Sequence, residues 1–164
     1  MSVEVRLGSL DDVDAALSVY ETSNLVRRRG NWPLRAERVE EVTANLRNPE
    51  SWFLVGDAEG DTVAMALLQP FRTEGGVGPV VPGTSFLDLI YVAPERWGEG
   101  IGGTMLDAVI KESDRRGCGR IYLWTHEREN ERALRLYLGH GFARTGVTGH
   151  DDAGEPVAEW RREG

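Results

Sequence analysis

A mixed α/β fold is what this 164-residue sequence predicts, on three observations. Residues 86 to 125 read as strand, glycine-rich turn, helix and strand, a βαβ unit that requires a parallel pair. Residues 51 to 71, SWFLVGDAEGDTVAMALLQPF, read as a hairpin, two apolar runs around the turn-forming DAEGD. Further segments repeat apolar residues at helical spacing. Together they give the order β-α-α-β-β-β-α-β-α-β-β in a single domain, 1–164. A chain of that length buries roughly 70% of its unfolded surface.

Taken in order, Val3 to Leu7 alternates as a short strand. Ser9, followed three residues later by Asp12, has the form of a capping box, and Val13, Leu17 and Tyr20 then recur on one helical face. RRRGNW, residues 27–32, is a polar break. Pro33 suits the first position of a second helix, which carries Val39, Val42 and Leu46 and stops before Asn48-Pro49. After the hairpin, TEGGVGPVVPGT, 73–84, reads as a mobile Gly/Pro-rich loop. FLDLIYV, 86–92, is a nearly unbroken apolar run, the pattern of a strand covered on both faces. Beyond the glycines, Ile101, Met105, Leu106, Val109 and Ile110 form a broad helical stripe that Gly117 ends. RIYLWT, 120–125, is another buried strand. Asn130 opens a helix to about His140, with Gly141 in a C-terminal capping role. Phe142–Val147 and Pro156–Trp160 are two last strands around the turn HDDAGE.

With 40% hydrophobic and 28% charged residues, the chain reads as a soluble globular protein. Its longest apolar run, Val63 to Leu68, falls far short of the roughly 20 residues of a membrane span. MSVEVRLGS lacks the apolar core of a signal peptide. Cys118 is the sole cysteine, which excludes an internal disulfide and fits the reducing cytoplasm. A net charge of −8 argues against nucleic acid or an anionic membrane as partner. It leaves open a preference for cationic substrates or simply a solvated acidic surface. Basic charge is almost entirely arginine, Lys111 being the single lysine, and no metal-ligating set stands out.

RWGEGIGGTML, residues 96–106, places four glycines in six positions and then turns apolar. Glycine loses the most backbone freedom on ordering, so the stretch carries a cost. A strand end, a turn without side chains and a helix N-terminus present bare N–H groups and the positive end of a helix dipole, which together make an anion site. Glu99 fits a phosphate-facing loop only with its side chain turned outward. Gly98, Gly100 and Gly103 spell G-x-G-x-x-G, but a dinucleotide-binding unit has that motif near the start of a run of βα repeats, with an acid roughly 20 residues on. Here four strands and two helices come first, one further helix follows, and Glu127 would have to serve as the acid. A Walker loop is excluded, because no lysine follows the glycines and Lys111 lies deep in the helix. A structural turn with no ligand stays open.

Two pieces of the chain carry a resemblance. The first is the strand ending at Val92, then Pro94-Glu95, then the glycines as Gly100-x-Gly102. The second is Asn130, Ala133, Leu136-Tyr137 and Gly141-Phe142. Either alone is weak. In order, separated by a helix and a strand, they are specific, and on them the chain resembles the GNAT superfamily of acyl-CoA-dependent N-acetyltransferases. The motifs cover residues 86–142, and the element order extends the likeness over the whole chain. There is one departure: Trp97 stands where the family usually has Arg or Gln. That leaves the backbone cradle intact and leaves open whether Arg96 substitutes.

The resemblance implies acetyl-CoA as cofactor, bound by Ile90, Tyr91, Val92, Trp97, Gly98, Glu99, Gly100, Ile101, Gly102, Gly103, Thr104, Asn130, Ala133 and Tyr137. It implies that the amides of residues 98–104 grip the pyrophosphate. Such folds splay the parallel strand pair, so Ile90 to Val92 would pair with the pantetheine arm. The Val92 amide would donate to the thioester carbonyl, an oxyanion contribution worth typically a few kcal/mol. The family makes Tyr137 the general acid, and residues 130, 133, 134 and 137 do share one helical face. A phenol of ordinary pKa about 10 can hand a proton to a thiolate of comparable basicity. Spacing alone reads Tyr137 as a packing residue.

Asp88 lies four residues before Val92 in an otherwise apolar strand. Burial raises a carboxyl's pKa, which makes Asp88 the candidate base for an amine that is mostly protonated at pH 7. A carboxylate satisfied by backbone or arginine is the plain alternative there, and His126, Glu127 and a water chain are rival bases. Cys118 lies on the order of 24 Å from the glycine loop at 1.5 Å per helical residue. Direct transfer in a ternary complex is therefore expected, rather than an acetyl-cysteine. Asn130 either caps its helix or touches the pantetheine arm. Arg27 to Arg29 either receive an acidic substrate group or are solvated charge. The acceptor is a small-molecule or peptide amine, shaped by residues 24–34, 73–84 and the last hairpin, and the family suggests a homodimer. A non-catalytic acyl-CoA-binding module of the same fold and a nucleotide-binding oxidoreductase are the competing readings.

Overall fold

A computed structural model describes residues 2–27 and 36–164. Its elements follow the expected order: β1 (Glu4–Leu7), α1 (Val13–Arg27), α2 (Ala36–Arg47), β2 (Trp52–Ala58), β3 (Asp61–Arg72), β4 (Val80–Val92), α3 (Ile101–Arg115), β5 (Arg120–His126), α4 (Glu131–Gly139), β6 (Phe142–His150) and β7 (Pro156–Arg162). Pro33 and residues 28–32 of the RRRGNW break lie outside the described residues. The strands form one mixed sheet in the order β1-β2-β3-β4-β5-β7-β6. β4 and β5 run parallel, with Thr84, Ser85 and Phe86 facing Arg120, Ile121 and Tyr122, as the βαβ pattern requires. Among the described residues, no helix is long and apolar enough to cross a membrane.

The chain gathers into two compact units, Met1–Leu68 with Leu89–Val109, and Gln69–Asp88 with Ile110–Gly164. In the first, α1 lays Val13, Ala16 and Tyr20, and α2 lays Val42 and Leu46, into a core with Phe53, Val55, Met65, Leu67 and Leu89. The β2–β3 hairpin turns at Glu59 and Gly60, both with positive φ (55° and 85°). Two left-handed residues match the twist of the flanking strands, which is why DAEGD works as a hairpin turn. Ser9 opens a single 3-10 turn, Leu10–Asp12, before α1. There the Ser9 amide donates to Asp12 at 2.8 Å, and Arg6 pairs with the same carboxylate at 2.8 Å.

In the second unit, β5 and β7 pair from Ile121↔Arg162 to His126↔Val157. Ile121, Leu123, Tyr137, Phe142, Ala158 and Trp160 are buried. One expectation is corrected here. Segment 73–84 is only partly a loop: after a 3-10 turn at Glu74–Gly76 it enters β4 at Val80. The Thr73 amide donates to Pro79 at 3.2 Å, and Thr84 and Ser85 line up beside Arg120 and Ile121. Partners that distant in sequence override a local Gly/Pro signal. β6 also runs past the expected Val147 to His150, through a register shift between Arg144 and Thr148.

Acid should undo part of this structure. The Arg6 guanidinium, with help from the Ser9 amide, holds the Asp12 carboxyl well below the usual carboxylate range. Arg115 in the first place lowers the Glu112 carboxyl as well. A depressed folded pKa gives stability that is complete above the unfolded value and lost as pH falls through the folded one. Urea midpoints are therefore expected to hold level from pH 7 to about 5 and to fall below about pH 4. Asp12→Asn should flatten part of that fall; an undiminished acid slope in the variant would show that Asp12 does not contribute to it.

Candidate active site

The first unit holds the glycine loop. β4 ends at Val92, the Ala93 amide donates to the Val63 carbonyl at 2.8 Å, and a 3-10 turn follows at Pro94–Arg96. Gly98 (φ 89°) and Gly100 (φ 82°) then sit in the left-handed region, and an added Cβ at either would meet nothing within 4 Å. Glycine is needed here for backbone conformation, and the space it leaves lies beside the start of α3. The first N–H groups of a helix have no intrahelical partners. Ile101, buried at that start, anchors the turn to the core. Backbone donors around a space that no side chain fills suit a diphosphate.

Glu99 is turned aside, accepting from Arg96 at 3.2 Å, as a phosphate-facing loop requires. Arg96 also reaches Glu59 at 3.5 Å, so two carboxylates engage its guanidinium. Trp97 donates its indole N–H to the Val92 carbonyl at 2.7 Å, and Ser23 donates to the same oxygen at 2.9 Å. Tyr91 packs edge-on against Tyr20 at 5.5 Å. Ile90 and Val92 are half-buried.

The second unit holds Asp88, His126, Glu127, Asn130, Ala133 and Tyr137. Tyr137 is 7% exposed, with its ring against Phe142 and Trp160. Asp88 is half-buried and accepts from the Gln69 amide at 3.1 Å. His126 Nε2 lies 2.7 Å from Asp151, which also accepts from the Ala153 and Glu155 amides at 2.9 Å each. Burial works to raise the Asp151 carboxyl, but the hydrogen bond to His126 and the two amides outweigh it and hold the group below its usual value. An acceptor that stays ionised places the shared proton on His126. Glu127 is engaged by Arg144, with both contacts at 3.2 Å.

For Asn130, one of the two readings falls away. Its side chain makes no cap hydrogen bond to α4. Its Nδ2 instead turns back to Thr125 Oγ1 and the His126 carbonyl, each at 2.8 Å, tying the helix start to the end of β5. The Asn130 carbonyl still accepts the first helical bond, from Leu134 at 3.0 Å. Arg28, Arg29 and the Arg27 side chain lie outside the described residues. Sequence reading missed Ser23, Gln69 and Asp151. The Asp151 carboxylate fixes the turn it starts, a habit of Asp at that position that HDDAGE does signal; its approach to His126 has no local signal.

The chain as a whole is similar to known proteins. The chain is 34% identical over 95 residues to the aminoglycoside N(6')-acetyltransferase type 1 of Stenotrophomonas maltophilia, across 57% of this chain and 61% of that protein. It is 32% identical over 85 residues to an acetyltransferase of Agrobacterium fabrum, across 52% of this chain and 60% of that one. The alignments thus span about three fifths of these curated relatives. In fold it is similar to an N-acetyltransferase of Thermoplasma acidophilum crystallised in complex with coenzyme A, with a TM-score of 0.67 at 21% identity over 97% of this chain and 98% of that one. The model of the acetyltransferase (GNAT) family matches residues 16–142, most of the chain, and the protein belongs to that family.

Proposed function

We propose that the protein transfers an acetyl group from acetyl-CoA to a primary amine, directly within a ternary complex. The observation that carries the proposal is the loop at residues 98–104, where two left-handed glycines open a space beside a helix N-terminus. The amides of Gly98 to Gly103 hold the pyrophosphate, the Thr104 amide being spent on the Gly100 carbonyl at 3.3 Å, and Ile90 to Val92 offer a strand edge to the pantetheine arm. Acetyl-CoA, when bound, supplies the thioester that the amine attacks. The Val92 N–H donates to the thioester carbonyl oxygen as negative charge develops there. Asn130 spends Nδ2 on Thr125 and His126, which leaves Oδ1 to accept from a pantetheine N–H. Ala133, one turn along the same face, is small enough to let the arm pass. Tyr137 Oη gives its proton to the departing sulfur.

Asp88 takes the proton of the amine, its carboxylate oriented by Gln69. A second reading of the base is His126, whose ring the Asp151 carboxylate holds in place at 2.7 Å. Glu127 is the weaker rival, since Arg144 engages its carboxylate. The pH–rate profile separates the two. Asp88→Asn is expected to remove the acidic limb of kcat/KM. A normal limb in Asp88→Asn, lost instead in His126→Gln, moves the role to His126.

An amine acceptor is supported by the Stenotrophomonas maltophilia relative, named for acetylating an aminoglycoside. The deciding experiment is a panel of aminoglycosides, amino acids and peptides with free N-termini, incubated with acetyl-CoA and read by the appearance of free thiol. At least one amine is expected to release thiol. Binding of acetyl-CoA with no thiol from any amine would make the chain an acyl-CoA-binding module instead.

A further inference from the structure

We propose that Trp97 and Ser23 are positioning residues that clamp the Val92 carbonyl and so fix the peptide at the end of β4, where the proposed oxyanion donor sits. The inference rests on the acetyl-transfer reading, but the contacts are independent of it. The Val92 oxygen accepts from Trp97 Nε1 at 2.7 Å and from Ser23 Oγ at 2.9 Å, which uses both lone pairs of a carbonyl. Across the same peptide bond, the Ala93 amide donates to Val63 at 2.8 Å. A peptide unit is planar, so three hydrogen bonds on its two polar atoms set its orientation and with it the backbone rotation at Val92.

The two clamping residues differ in a telling way. Ser23 is 1% exposed and could have bonded to its own helix, as buried serines in helices often do. It reaches across to β4 instead. Trp97 is 44% exposed, so water could satisfy its N–H. Its single donor is nonetheless spent on Val92, and an indole has no second one. Its own amide donates to Pro94 at 3.1 Å, and Arg96 donates to Ala93 at 2.9 Å. The strand end, the turn and the residue that precedes Gly98 are therefore one bonded piece. The clamp thus sets the orientation of the Val92 backbone at the entry to the glycine loop. Trp97 replaces the family's usual Arg or Gln at this position, and all three can donate a side-chain N–H.

Trp97→Phe keeps the ring and removes the N–H. It is expected to lower kcat three- to tenfold with acetyl-CoA affinity within about twofold, since the cradle amides are untouched. Trp97→Gln, which restores a donor, is expected to recover most of the loss, and Ser23→Ala to behave like Trp97→Phe. In protein without any substrate, the Val92 carbonyl carbon resonance should move in Trp97→Phe and return toward its position in Trp97→Gln. An unmoved resonance overturns the clamp, and a moved resonance with unchanged kcat overturns its positioning role. Wild-type protein that releases no thiol with any amine defeats the acetyl-transfer reading and the positioning role with it, while the resonance still reports whether the clamp exists.

Discussion

Replacing Tyr137 with phenylalanine is expected to lower kcat at least tenfold while leaving acetyl-CoA affinity nearly unchanged. The ring packs in the fold, 5.8 Å from Phe142 and 6.3 Å from Trp160, and phenylalanine keeps both contacts. What disappears is the hydroxyl. If that group protonates the departing sulfur, its loss raises the barrier of the chemical step and not the cost of binding. Tenfold corresponds to about 1.4 kcal/mol of activation free energy, modest for a general acid. Steady-state kinetics on an amine from the panel, with acetyl-CoA binding measured by calorimetry, reads both quantities. Unchanged turnover would return Tyr137 to the packing role its spacing alone suggests.

Trp160→Ala is expected to cost about 3–5 kcal/mol of folding stability, a large share of the roughly 5–15 kcal/mol that holds a domain together. Trp160 has no solvent exposure. The Arg144 guanidinium lies 4.6 Å from its ring centroid, and Tyr137 flanks it. Removing the indole leaves a cavity and strips Arg144 of the surface it lies on, so β6, β7 and the setting of Tyr137 loosen together. The indole N–H adds little to this, because it has no hydrogen-bond partner among the described residues. Trp160→Phe, which fills much of the space without burying an unbonded donor, should therefore cost far less than alanine. Urea denaturation of the three proteins tests the order. A Trp160→Ala loss below about 1 kcal/mol would mean that the site collapses without penalty.

Sequence reading reached furthest where the backbone conformation itself dictates the residue type. Gly98 and Gly100 are recognisable in the sequence and have left-handed torsions in the fold because no other residue adopts those torsions cheaply. The hairpin turn is legible through Gly60, and the apolar stripe of α3 through a periodicity that follows from helix geometry alone. These features depend on residues within one or two turns of each other. The side-chain partnerships do not. Asp88 meets Gln69, His126 meets Asp151 and Ser23 meets Val92 across intervals of 19, 25 and 69 residues.

The tip of the Gly/Pro-rich segment makes the same point in the backbone. Its composition marks a loop, yet Val80 onward is strand because Thr84 and Ser85 stand beside Arg120 and Ile121. Asn130 has the composition of a helix cap and spends its amide elsewhere, on atoms of β5 that only folding brings near. By itself, then, the sequence determined the family, the order of elements and the left-handed glycines of the loop, all written in local spacing and backbone preference. The tertiary structure alone decided the polar partnerships between residues far apart in the chain, since a hydrogen bond needs two atoms within about 3 Å and only folding brings such residues that close.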